Sequence, residues 1–367
     1  MKKFKKGYSL FLFLITSVVL ISCSNSSKSN ELSTSNIDTT SMGGAWVSRA
    51  SLPNLKANAT GRFGAVAFSI GNYAYVGTGS DGVVGDSMLT DFWQYDGTVD
   101  KWTQMSSIPV GRIDAVSFTI NGNGYVGCGG INGDGSINSK FETLNDFFAY
   151  NSSSNTWIKK ADFPNPRIGA MGFAINGKGY ITCGKDSTVA NYYNDMYSYD
   201  PLNDKWVKEK DFPGDKRSSG ATFVYNNEAY LIGGTNFNGV ATSDFYKFNG
   251  SSNSWIQLPD VYSISNSITI DNFISRSNGV AFVLGNYAYV TGGTSSNNTT
   301  YLLNSTWAYN FNTGIWKKCT AFGGSPFTEG IAFTIGSRAF VGTGYNIWAN
   351  NGSNAIISSV YEFIPNN

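Results

Sequence analysis

Tryptophan recurs along this chain at positions 46, 102, 157, 206, 255 and 316, at spacings of 56, 55, 49, 49 and 61 residues. A period near 50 constrains the fold more than composition does. A supersecondary unit of that size cannot bury its own apolar face and must stack on copies of itself. Three other marks keep the same period. An R-x-x-x-x-x-F stretch runs from Arg62 to Phe68, Arg112 to Phe118, Arg167 to Phe173, Arg217 to Phe223 and Arg276 to Phe282; in the sixth copy, Phe327 to Phe333, the Arg is missing. An aromatic residue is followed four positions later by glycine at Tyr75/Gly79, Tyr125/Gly129, Tyr180/Gly184, Tyr230/Gly234, Tyr289/Gly293 and Phe340/Gly344. A short apolar stretch such as Asp91–Tyr95 or Asp195–Tyr199 comes next.

Each unit reads as four antiparallel strands. The first two are joined by Gly71-Asn72, Asn121-Gly122, Asn176-Gly177, Asn226-Asn227, Gly285-Asn286 or Gly336-Ser337. These pairs supply the positive φ that two-residue hairpin turns need. Gly and Ala crowd the first strand (Gly64-Ala65, Gly169-Ala170, Gly220-Ala221), as expected where six copies converge on one axis. No segment carries helical periodicity. A charged fraction of 14% beside 15% aromatics and 42 glycines agrees with short strands and tight turns.

The period, the Gly-Gly pairs (Gly233-Gly234, Gly292-Gly293, elsewhere Thr78, Cys128, Cys183 or Thr343 before the glycine), and the Tyr and Trp that follow resemble the kelch repeat. The resemblance covers residues 45–367. It implies an all-β fold: a six-bladed kelch-type β-propeller with four antiparallel strands per blade around a central channel. The last repeat ends near Phe363 without a Trp, whereas Trp46 precedes the first Arg. Residues 46–49 are therefore expected to add the outermost strand to the C-terminal blade and remove its open edge.

The N-terminus reads as a targeting segment. Lys2, Lys3, Lys5 and Lys6 precede an apolar run from Tyr8 to Ser22 that is short for a membrane span. The box Leu20-Ile21-Ser22-Cys23 resembles that of bacterial lipoproteins, in which the cysteine is lipidated and becomes the mature N-terminus; otherwise residues 1–22 are an ordinary signal peptide. Cys23 and a Ser/Asn/Thr-rich tether fill residues 23–44. The expected product is exported and anchored in the cell envelope through Cys23, in the outer membrane if the source is Gram-negative. Its net charge is 22 − 25 = −3 after loss of four of the 26 Lys and Arg, against 25 Asp and Glu. Cys128, Cys183 and Cys319 cannot pair completely and have no metal-knuckle spacing, so they read as small buried hydrophobes.

In an up-and-down blade the Arg positions, the residues after each glycine and the loops between blades share one face. The two longest insertions, 130–145 and 256–275, fall there, and binding concentrates on such elaborated rims. The ligand-binding set expected on this face is Arg62, Arg112, Arg167, Arg217, Arg276, Glu329, Asp114, Asn132, Lys185, Asn236, Tyr345 and Trp348. A ring of arginines with two acids suits an anionic sugar or an acidic side chain. Alternatively, the arginines hydrogen-bond neighbouring blades. The loop 132–138 faintly resembles a calcium loop but lacks its glycine and glutamate.

Two function classes follow. One is a monomeric binding module holding a glycan or protein ligand. The other is an enzyme: exported six-bladed kelch propellers include N-acetylneuraminate epimerases. That similarity implies Arg for the sugar carboxylate, with Glu329 and Asp114 as acid and base. Galactose-oxidase chemistry, on kelch blades, needs copper held by histidine, and this chain has 0 His. Histidine-dependent triads are excluded for the same reason. No cofactor or metal is expected. A formal net charge of +1 leaves no electrostatic footprint for nucleic acid. For the anchor, Cys23→Ser is expected to release the protein from membranes or block its processing. Full detergent partitioning of that variant with a lipid-modified mass would refute the assignment.

Overall fold

The computed structural model describes residues 37–38, 40–54, 59–83, 88–132, 141–187, 191–261, 274–296, 300–347 and 355–366, all within one compact unit, Ser35–Asn367. Its strands form six four-stranded antiparallel blades. Blade 1 is Val66–Ile70, Tyr73–Gly77, Phe92–Asp96 and Lys101–Met105, hydrogen-bonded in that order. Blades 2 to 5 repeat the pattern from inner strands Val116–Ile120, Met171–Ile175, Ala221–Tyr225 and Val280–Leu284. Blade 6 starts at Ile331–Ile335 and continues through Arg338–Asn346 and Ala355–Ile364. Its fourth strand is Ala45–Arg49 from the other end of the chain, with Trp46 opposite Phe363. The closure expected from the lone Trp46 is thus the observed one.

The sequence marks meet in space. Each R-x-x-x-x-x-F phenylalanine lies opposite the aromatic of the neighbouring strand, as in Phe68↔Tyr75 and Phe118↔Tyr125. The six pairs stack at ring separations of 5.1 to 6.0 Å. The phenylalanine also fills the gap to the next blade, where glycine makes room. A Cβ on Gly124 would lie 2.0 Å from the Phe68 ring, and one on Gly179 2.2 Å from Phe118. The repeat tryptophans bind the previous blade: the Nε1 of Trp102, Trp157 and Trp206 donates to Ala50 O, Ser106 O and Ala161 O, each at 2.9 Å. Aromatic burial and one hydrogen bond thereby seal the same seam. Cys128, Cys183 and Cys319 are buried, as expected of small hydrophobes.

The blades converge through backbone. Gly64, Asp114, Gly169, Ser219, Asn278 and Glu329 all have φ between 50 and 63°. Each donates its N–H to the carbonyl of its counterpart in the preceding blade at 2.7 to 3.0 Å, and Gly64 N donates to Glu329 O at 2.9 Å. The result is a closed ring of six hydrogen bonds around the axis. A second such ring links Gly79, Gly129, Gly184, Gly234, Gly293 and Gly344 to carbonyls of the following blade, closing at Gly344 N to Arg62 O at 2.7 Å.

Ile37–Asp38, inside the segment read as tether, forms a fifth strand parallel to Trp316–Lys318 of blade 5. Asp38 pairs with Lys317 at 2.8 Å, and the Met42 N–H donates to Lys318 O at 2.8 Å. This pairing is short and only partly buried, so removing residues 24–41 is expected to lower the melting temperature only slightly. Extending the deletion through Arg49 removes a whole ladder and the Trp46 ring, which packs 4.9 Å from Phe322. The expected cost is about 3–5 kcal/mol. Equal melting temperatures for the two truncations would refute the closure.

Candidate functional site

The five arginines expected to line a ligand funnel do not line it. Arg62, Arg112, Arg167, Arg217 and Arg276 are at most 2% exposed. Four of them form bidentate pairs with the aspartate that opens the third strand of their own blade. Arg62 reaches Asp91 at 2.9 and 2.5 Å, Arg112 reaches Asp146 at 2.6 and 3.0 Å, and Arg167 reaches Asp195 at 2.7 and 3.1 Å; Arg217 grips Asp244 in the same way. The Nη1 of each also donates to the carbonyl before the repeat glycine, for example Arg167 to Cys183 O at 2.8 Å. In blade 5 serine replaces the aspartate, and Arg276 bonds Ser305 O at 3.1 Å and Ser305 Oγ at 3.3 Å. Removing one partner of such a buried pair costs about 3–5 kcal/mol. These side chains lock inner to outer strands and present no charge to solvent.

The mouth of the channel is built instead from the residues two positions further on. Gly64, Asp114, Gly169, Ser219, Asn278 and Glu329 ring a depression of about 160 Å³. It continues into a cavity of about 350 Å³ walled by Phe141, Ile168, Lys185, Asp186 and Tyr192. The closed hydrogen-bond ring already uses the backbone N–H groups here, so a ligand is read by side chains. Asp114 leans across the bare Gly64, since a Cβ there would sit 2.9 Å from its Oδ1. Ser219 Oγ leans over Gly169 in the same way, at 2.9 Å from such a Cβ.

Asp114 and Glu329 are half-buried, and no hydrogen bond from the described residues reaches either carboxylate. Burial pushes Asp114 up to about 6 against the pull of Lys185. Burial and the Asp114 charge together push Glu329 up to about 8. Near neutral pH the two acids hold about one proton between them. Glu329 and Asp114 also occupy left-handed backbone at φ 55 and 50°. That conformation costs a non-glycine residue about 1–2 kcal/mol.

Among the other expected residues, Lys185 stands in the cavity wall with its Nζ 5.7 Å from the Tyr192 ring centre. Asn132, Asn236 and Tyr345 do not line it. Asn132 pairs with Phe141 in a two-stranded ribbon, and Asn236 Oδ1 caps the turn at Asn238 and Val240. Tyr345 packs on Phe63 at 5.3 Å. Trp348, Cys23 and most of the 132–138 loop lie outside the described residues. Phe141 and Tyr192 were missed because both stand in the loops between second and third strands, Phe141 in the longest of them, where the repeat gives no register. The Arg–Asp struts did have a signal: an aspartate follows Arg62, Arg112, Arg167 and Arg217 by 27 to 34 residues, always before the third strand. Among the described residues no group of three or more His, Cys, Asp or Glu could hold a metal ion.

A carboxyl whose folded pKa is raised binds its proton more tightly in the folded than in the unfolded chain. Stability therefore falls as pH rises from the usual carboxylate range through the folded value. Wild-type stability is expected to decline between about pH 4.5 and about pH 8. Glu329→Gln should flatten the decline and be more stable than wild type at pH 8, by on the order of 1 kcal/mol once funnel water is allowed for. Chemical denaturation at pH 5 and pH 8 measures both slopes, and parallel slopes would refute the buried-acid assignment.

Residues 107–267 match the family described as the KLHDC2/KLHL20/DRC7 Kelch-repeats domain, and residues 275–323 match the Kelch motif. No curated protein matches the chain. The solved structure of YjhT is similar in fold, with a TM-score of 0.67 and 18% identity, over 82% of this chain and 94% of its own. With six closed blades and these repeat matches, the chain is a kelch-repeat β-propeller.

Proposed function

We propose that this protein is an envelope-anchored binding module that takes a hydroxyl-rich ligand, a glycan, in the funnel around Asp114 and Glu329. The observation that carries the reading is the pair of carboxylates to which no described residue donates a hydrogen bond, held where glycine would be unstrained. Their acceptor oxygens, the Ser219 hydroxyl and the Asn278 amide suit sugar hydroxyls. Phe141, Ile168 and Tyr192 offer an apolar wall for a ring face. With the arginines buried, Lys185 is the one cation among the described residues of this cavity. A preference for anionic sugars therefore has far less support than the sequence suggested. Anchoring through Cys23 completes the proposal and rests on the N-terminal sequence.

A second reading keeps one observation in its favour. Two acids sharing a proton near neutrality can donate and accept protons on opposite sides of a sugar carbon, as a mutarotase or epimerase requires. An acidic substrate such as N-acetylneuraminate would have Lys185 for its carboxylate.

A glycan array probed with the protein tests the binding reading. For any glycan retained, Asp114→Asn or Glu329→Gln should weaken affinity by about 10- to 150-fold, the scale of a charge-assisted hydrogen bond. Retention unchanged in both variants would refute the funnel as the site. In the enzyme reading, wild-type protein speeds anomer interconversion followed by NMR, and Glu329→Gln abolishes it. Absence of catalysis by the wild type leaves the binding module.

A further inference from the structure

A second cavity opens at the turn end of the blades, away from the funnel, in the seam between blades 2 and 3. It measures about 390 Å³ and is lined by Asn121, Asn123, Tyr125, Ala149, Asn151, Ile158, Lys160, Pro201 and Leu202. Its origin lies in one row of side chains across blade 2: Tyr125 faces Ala149, and Ala149 faces Ile158. The equivalent row in blade 1 is Tyr75, Gln94 and Thr103, where Gln94 Nε2 donates to the Tyr75 hydroxyl at 2.7 Å. Blade 4 fills its row with the Lys247–Glu228 pair at 3.0 Å, and blade 6 with Glu362 held by Arg338 at 2.6 Å. The seam between blades 4 and 5 is plugged by Tyr225 stacked on Phe311 at 3.8 Å. Blade 2 has only the methyl of Ala149, and blade 3 contributes the Pro201-Leu202 corner.

We propose that this seam cavity is a second ligand site, and that its ligand is an uncharged saccharide unit. The side chains of Asn121 and Asn123 make no hydrogen bond among the described residues, and neither does the Tyr125 hydroxyl. Carboxamides both donate and accept, which matches hydroxyl groups that do the same. Leu202 is 90% exposed and Ile158 51% exposed, and with Pro201 they form an apolar edge suited to the C–H face of a pyranose. A volume of about 390 Å³ lies within the small-molecule range. Charge is balanced locally. Burial would raise the Asp204 carboxyl, but the Ala161 N–H, the Tyr199 hydroxyl and the charge of Lys160 hold it below the usual range. Lys160 thus faces an ionised neighbour, and the site has no net charge with which to select an ionic ligand.

The test is saturation-transfer NMR on the protein with glucose and N-acetylglucosamine as probes. Transfer to the sugar ring protons is expected with at least one of them. Ala149→Gln should fill the cavity as Gln94 does in blade 1, hold the melting temperature, and weaken binding at least about tenfold. Leu202→Ser, at a position too exposed to disturb folding, should weaken it several-fold. Glu329→Gln should leave this component intact, which separates it from the funnel. No transfer from either sugar at wild type overturns the proposal, as does transfer that is lost in Glu329→Gln alone or that persists when each seam variant is combined with Glu329→Gln.

Discussion

Where six inner strands converge on one axis, the backbone groups at their entries must find hydrogen-bond partners. The closed ring through Gly64, Asp114, Gly169, Ser219, Asn278 and Glu329 meets that need. Each link requires a left-handed residue, which explains φ near 50 to 63° at all six positions. Glycine meets the requirement without strain and asparagine with little. The chain uses glycine twice and asparagine once, and at the other three positions it places side chains that the turn itself does not favour. The constraint that closes the propeller also points those side chains into the channel mouth.

Charge is sorted by the same geometry. In blades 1 to 5 the arginine two residues before the ring position is buried inside the blade. In blades 1 to 4 an aspartate just before the third strand satisfies it, and in blade 5 Ser305 does. Guanidinium and carboxylate are planar and bidentate, so the pair fixes the spacing of inner and outer strands as well as neutralising both charges. The funnel is left with carboxylates that have no such partner among the described residues. Burial raises the proton affinity of both, and the Asp114 charge across the unsubstituted Gly64 raises that of Glu329 further. Fold stability and site acidity therefore have separate sources in neighbouring residues.

Departures from the repeat are where chemistry can enter. Blade 6 has Phe327 in place of an arginine and Glu329 in the ring, blade 2 has Asp114 in the ring, and the loop beyond Lys185 brings Tyr192 to the cavity at the mouth. A perfectly regular repeat would give a six-fold channel with no preferred side. The two carboxylates flank one glycine, and the aromatic wall stands on the side of blades 2 and 3, so the mouth is polarised across its width.

The blade count and the hairpin turns were legible in the chain, because each is a local pattern repeated six times and a period needs no contact map, and the closure by Trp46 was legible as the one place where that period is out of step. That Asp114, Glu329 and Lys185 share one face at the channel mouth was legible from their offset to the repeat marks. The fate of the arginines was not. Whether a side chain at a strand entry turns toward the axis or into the blade depends on a partner about 30 residues away, and only the packed sheet brings Asp91, Asp146, Asp195 and Asp244 within reach. Phe141, Tyr192 and the Ala149 cavity were hidden for a related reason. An insertion has no register until it folds back, and a hole is defined by neighbours in the next blade. Sequence alone determined the architecture, which local periodicity encodes; tertiary structure alone decided which charges face water, because burial belongs to the assembled blades and to no residue by itself.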